Sequence, residues 1–250
     1  MNDRESEEPR VWLAPPRSKE GPFVIPVWGG KGGINKTTIA WNLAYMLGQV
    51  GPTLLVNADK KQTGGGATQL CKACTQATIP FELTETDDVA ELRSLRQLRQ
   101  FRYVVTDSAP HREVPKLRAA SKGDLAIVPY PPRKLDSEGI LSSISQHLQP
   151  YGANYRILLT YVEHNQLSRA KHIKDALRDI GQPTFNAWLR RYTAYEMLTG
   201  MPVLRNEDDP KAEKASSDLY AFGDEVLRVL GEPYTVPRLL KRDQPKADIQ

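Results

Sequence analysis

The chain has 250 residues, 40% of them hydrophobic and 26% charged, which is enough apolar content to bury one substantial core without demanding a second domain. Lys and Arg number 34 against 30 Asp and Glu, a formal net charge of +4, too mild to mark a dedicated nucleic-acid binder by charge alone. No run approaches the roughly 18 consecutive apolar residues of a membrane span, and the acidic N-terminus is unlike a signal peptide, so a cytoplasmic location is expected.

Taken in chain order, residues 1–20 are charged, proline-bearing and aperiodic, and read as a flexible tail; 21–235 reads as one domain, and 236–250 as a second flexible tail. Residues 22–28 form an apolar run with the look of a buried strand, and 38–47 show helical spacing of apolar residues. Between them, from Gly30 to Thr38, the chain reads Gly-Lys-Gly-Gly-Ile-Asn-Lys-Thr-Thr. The phosphate-binding template G-x-x-x-x-G-K-[ST] wraps phosphates in backbone N–H groups, reaches the terminal ones with its lysine and binds Mg²⁺ through its hydroxyl. Gly30, Lys36 and Thr37 fit it, whereas Asn35 stands where the last glycine belongs. A strand, loop and helix in this order set a helix N-terminus against an anion.

Further apolar strands are expected at 53–59, 101–107, 124–129 and 155–160, with helical stretches over 137–148 and 167–180. Two of these strands end in an aspartate, Asp59 and Asp107, at the strand end where open α/β sheets gather their sites. The alternation predicts an α/β fold, a doubly wound, mostly parallel sheet with helices on both faces.

Lys31 adds a second lysine ahead of two glycines, and the resulting Lys-Gly-Gly-x-x-Lys-Thr-Thr resembles the deviant Walker A box of the ParA/MinD family of dimerising ATPases. The resemblance spans about residues 22 to 230. It implies ATP and Mg²⁺ as ligands, with Gly30, Lys31, Gly32, Gly33, Ile34, Asn35, Lys36, Thr37 and Thr38 cradling the nucleotide. It also implies that Lys31 reaches the partner subunit's nucleotide, so that ATP joins a homodimer. Residues 53–59 look like the family's Asp-x-Asp-Pro-Gln segment, with Asp59 at the aspartate that helps position the attacking water. Asn57 replaces the first aspartate and Lys60-Lys61 replace Pro-Gln, so slow or differently tuned hydrolysis is expected. Asp107 matches the Walker B carboxylate, implied to hold Mg²⁺ together with Thr37. Asp124 to Pro129 resembles the family's Asp-x-x-x-x-Pro strand, and Asn186 to Val203 its closing block of an alanine-bearing helix followed by Gly-x-Pro-Val.

The function so implied is a ParA-type ATPase whose ATP-bound dimer rides nonspecific DNA across the nucleoid and positions a cargo. A ParB-like or equivalent adaptor on that cargo would stimulate hydrolysis. The cargo stays open among a plasmid, a chromosome region and a protein microcompartment such as a carboxysome. Arg190, Arg191, Arg228, Arg238, Lys241, Arg242 and Lys246 form a late basic set suited to phosphates. Only about twenty residues precede the loop strand, so no helix-turn-helix for sequence-specific reading is expected there. A MinD-like membrane cycle would need an amphipathic C-terminal helix, and residues 236–245 carry one Leu pair and two prolines instead. A metabolic ligase or an iron–sulfur carrier of the same superfamily is the remaining alternative. The two cysteines, Cys71 and Cys74, lie early, without a second pair for zinc, and His111, His147, His164 and His172 show no ligand spacing.

Overall fold

Continuous apolar runs become strands buried on both faces, as parallel sheets require. Five of them are β1 (Phe23–Val27), β2 (Thr53–Ala58), β4 (Tyr103–Ser108), β5 (Ala126–Tyr130) and β6 (Tyr155–Val162). Two further strands, β3 (Glu82–Glu85) and β7 (Thr184–Arg190), complete a seven-stranded sheet in the order β3-β2-β4-β1-β5-β6-β7 with every pairing parallel. The architecture is the expected doubly wound α/β fold. The computed structural model describes residues 13–17, 19–29, 33–58, 79–108, 123–196 and 210–238.

Six α-helices connect or cover the strands within those residues: α1 (Lys36–Gly48), α2 (Val89–Ser94), α3 (Lys134–His147), α4 (Leu167–Asp179), α5 (Thr193–Glu196) and α6 (Pro210–Val229). Almost all of α1 is buried, because it lies between the sheet and α6; Trp41, Leu43 and Met46 join Val27, Leu55 and Val105 of the strands and Phe222 and Val226 of α6 in one cluster. The opposite face packs Val128, Ile157 and Leu159 against Ile140 and Ile144 of α3 and Ala170 and Leu177 of α4. A third, smaller cluster places Leu92 of α2 and Leu95 beneath Val24, Leu54, Val56 and Val104.

Several expectations change. The first helix begins at Lys36 rather than at 38, so Lys36 and Thr37 stand in its opening turn. In the closing block, residues to Arg190 are strand, and the helix that follows, α5, spans Thr193–Glu196; 197–209 lie outside the described residues. The packed unit is also wider than 21–235. Ala14 is fully buried and its N–H donates to the Val50 carbonyl at 2.9 Å, while Val236 is 2% exposed and its N–H donates to Asp224 at 2.8 Å. Neither flank is therefore tail throughout, since each sends a small apolar side chain into the α1–α6 core.

Candidate functional site

β1 ends at Val27 in the middle of the sheet, with β4 on one side and β5 on the other, and the chain leaves it toward the start of α1. That is the switch point at which open α/β sheets leave a crevice for ligands. The exit is tightly packed. A methyl group on Gly29 would come within 2.5 Å of the Ile34 Cδ1 and 3.8 Å of the Lys36 Cδ, so the Ile34 side chain lies directly over Gly29 and would have to shift to admit a larger residue there. Ile34, 2% exposed, is the anchor on the far side of the sheet, where it packs with Trp28 and Val128.

The backbone then turns left-handed twice, at Gly33 (φ 73°) and at Asn35 (φ 75°, ψ 22°). The second turn is the conformation for which the template specifies glycine, and asparagine is among the few residues that enter it at modest cost. Asn35 is the N-cap of α1 yet makes no side-chain capping bond, so it does not close off the helix's first N–H groups with its own oxygen. Lys36 follows, 7% exposed, with Thr37 and Thr38 half-buried in the same turn. Among the described residues of the expected cradle, Gly33 to Thr38 therefore form one continuous turn into a helix N-terminus. Gly30, Lys31 and Gly32 lie outside the described residues, as does Asp59.

Asp107, next to last in β4, is in register with Val27 of β1 and with Asn57 of β2, and Asn57 is in turn in register with Glu85 of β3. Alternation along the strands sets Asn57 with Leu55 and Asp107 with Tyr103 and Val105, toward the face that α1 covers. Both are 2% exposed. The Asn57 amide nitrogen donates to the Glu85 Oε1 at 3.4 Å. Ser108, the next residue, faces the other way and its hydroxyl donates to the Val27 carbonyl at 2.6 Å, which ties the end of β4 to the strand that opens the loop. A hard, oxygen-preferring dication suits the donor chemistry here, a buried carboxylate on the α1 face and a hydroxyl, Thr37, in the first turn of α1.

Other expected residues have architectural roles. Asp124 accepts the Val24 N–H at 2.7 Å and pairs with Arg96 at 3.1 Å, holding the start of β5 to the start of β1. The late basic set does not form one uncommitted face. Arg190 pairs with Asp218 at 2.6 Å, Arg191 with Glu163 at 3.1 Å and Arg238 with Asp224 at 2.5 Å, whereas Arg228 is exposed and Lys241, Arg242 and Lys246 lie outside the described residues. Cys71, Cys74 and His111 lie outside them too. No helix among the described residues is long and apolar enough to cross a membrane.

No family model matches the chain. Over 214 residues it is 33% identical to the Maintenance of carboxysome distribution protein A of Gloeobacter kilaueensis, an alignment covering 84% of this chain and 97% of that protein. Among solved structures, the fold is similar to the MinD cell division protein of Aquifex aeolicus, with a TM-score of 0.62 at 16% identity over 86% of this chain and 100% of that one. It is similar as well to apo McdA from Cyanothece, with a TM-score of 0.61 at 17% identity over 84% of this chain and 99% of that one. A relative matched along nearly its whole length, a left-handed turn into a buried lysine and a parallel sheet of this order agree: the chain belongs to the ParA/MinD family of deviant Walker A ATPases, with carboxysome-distribution proteins among its relatives.

Proposed function

We propose that the chain is an ATP-hydrolysing positioning protein that cycles between a monomer and an ATP-joined homodimer, and that its cargo is the carboxysome. The observation that carries the ATPase reading is the turn at Asn35 and Lys36, a left-handed residue followed at once by a buried lysine at a helix N-terminus. The cargo is supported by the carboxysome-distribution role for which the Gloeobacter kilaueensis relative is named. Phosphoryl transfer needs positioning and charge stabilisation more than covalent chemistry, and the residues divide that work. Lys36 neutralises charge on its own subunit's phosphates and Lys31 on the partner's. Backbone N–H groups from Gly30 to Thr38 hold the phosphate oxygens. Thr37 and Asp107 would hold Mg²⁺, which would supply neutralisation of phosphate charge when bound. Asp59 orients the attacking water.

The closed dimer binds nonspecific DNA and the cargo carries an adaptor that stimulates hydrolysis, so release follows turnover; the location is cytoplasmic and on the nucleoid. Binding of a DNA duplex at defined salt, without nucleotide, with ADP and with a slowly hydrolysed ATP analogue, tests the cycle. Binding is expected only with the analogue and should weaken steeply as salt rises, since phosphate contacts release counterions. Lys31→Ala should abolish both that binding and ATP-induced dimerisation in sedimentation while leaving the apo fold intact. An unchanged sedimentation profile for Lys31→Ala would refute the role across the dimer, and equal DNA binding in all nucleotide states would refute the switch.

A further inference from the structure

The second strand carries an amide, Asn57, where the resembling segment has an aspartate, and the neighbouring strand holds a carboxylate beside it. Glu85, Asn57 and Asp107 occupy one register across β3, β2 and β4. Neighbouring strands lie about 4.8 Å apart, so each side chain in this row has the next within reach. Asn57 and Asp107 are 2% exposed, and the Glu85 side of the row is open to solvent. An aspartate at 57 would stand between two carboxylates, and like charges directly across neighbouring strands destabilise a sheet. The amide removes that conflict. It also has two unlike ends, and the nitrogen donates to the Glu85 Oε1 at 3.4 Å, a long bond to a carboxylate.

We propose that Glu85 is a positioning residue for ATP hydrolysis: it holds the Asn57 amide with its nitrogen toward β3 and so fixes how that amide sits beside Asp107. Glu85 thereby supplies, one strand further out, the charge that Asn57 lacks. An outer-row partner of this kind orients a metal-bearing carboxylate's surroundings without touching the metal itself. The inference rests on the ATPase reading above.

Four full-length proteins test it: the parent, Asn57→Asp, Glu85→Gln and the double variant. Two quantities are measured, the apo unfolding midpoint without Mg²⁺ or nucleotide, and ATP turnover as a function of Mg²⁺ concentration. Glu85→Gln alone should lower turnover roughly tenfold and raise the Mg²⁺ requirement, with little change in the apo midpoint. Asn57→Asp alone should lower the apo midpoint, because three carboxylates then share the row. The double variant should recover both that midpoint and most of the turnover. Turnover in the parent with additive effects of the two changes would overturn the positioning role alone. No turnover in the parent would remove the ATPase reading, and the positioning role with it, whatever the apo midpoints show.

Discussion

A left-handed backbone costs an ordinary L-residue roughly 1–2 kcal/mol, glycine almost nothing, and asparagine an amount between. Asn35 sits at φ 75° immediately before the buried Lys36, so the loop's last turn carries part of that cost in the folded protein. Two substitutions separate backbone from side chain. Asn35→Ala keeps a Cβ but loses asparagine's tolerance of the left-handed region, and it should destabilise the apo protein by about 1 kcal/mol in denaturant unfolding. Asn35→Gly relieves the strain and raises unfolded-state entropy at once, two effects of opposite sign and similar size, so apo stability should change little. Its effect should appear in ATP affinity, which is expected to rise because no side chain then crowds a backbone that closes on phosphate. A titration giving equal affinities for the parent and Asn35→Gly would sink that expectation. The loop was legible in sequence because its glycines and lysines are chemically singular. The left-handed state of Asn35 was legible only as the template's demand at that position, and the Ile34 contact over Gly29 was missed because it joins residues five apart through the fold of the turn.

At the scale of elements, the strands that were read correctly are those buried on both faces, and the two that were not are the sheet's two edges. β3 reads Glu-Leu-Thr-Glu and offers no apolar run at all. β7 reads Thr-Phe-Asn-Ala-Trp-Leu-Arg, with Asn186 and Arg190 interrupting the pattern, and the reason lies in α6. Glu225 of α6 accepts the N–H groups of Asn186 and Ala187, both at 2.8 Å, and Asp218, two helical turns earlier, accepts that of Arg190 at 3.0 Å while pairing with its guanidinium. An edge strand's free N–H groups invite another chain, and here carboxylates of α6 occupy three of them. The helix itself was visible in principle, since Ala215, Leu219, Phe222 and Val226 repeat at helical spacing and Pro210 opens it, a position proline favours. A motif-led reading passes over that stretch because it holds no chemistry. Glu225→Ala should cost about 2 kcal/mol, as two part-buried N–H groups lose their acceptor, and Glu225→Gln clearly less. A urea midpoint that falls without a change in slope checks the first, and equal midpoints for the alanine and glutamine variants would show that α6 holds β7 by packing alone.

Across the whole molecule, the end of the sheet opposite the loop is fastened by one cluster. Arg102 makes two bonds to Glu232, at 2.8 and 2.9 Å, the Tyr103 hydroxyl donates to the same carboxylate at 2.7 Å, and Arg102 also donates to the Pro15 carbonyl at 2.7 Å. The start of β4, the chain just past α6 and the segment before β1 thus meet at one carboxylate, while the far end of the same β4 carries Asp107. Removing Glu232 leaves Arg102, whose side chain is 12% exposed, as a largely buried charge without its counterion, and Glu232→Ala should cost about 3 kcal/mol. Tyr103 makes the cluster pH-sensitive in a defined direction. Burial first, then the bond to the Glu232 carboxylate and its charge, push the phenol far above the ordinary tyrosine range, against a smaller downward pull from Arg102. The folded protein therefore keeps this proton at pH values where the unfolded chain releases it, near pH 10 for an unperturbed tyrosine. A raised folded-state value means that the contribution is complete below about pH 10 and is lost as pH rises beyond it, at up to roughly 1.4 kcal/mol per pH unit. Tyr192 and Tyr195 are shifted the same way and add to the alkaline loss, so the diagnostic quantity is the difference between the parent and Tyr103→Phe. The variant should be less stable at neutral pH, lacking one bond, yet should lose stability less steeply above pH 10, with the gap between the two narrowing. Parallel alkaline limbs would show that Tyr103 ionises alike in both states and that Glu232 holds Arg102 alone.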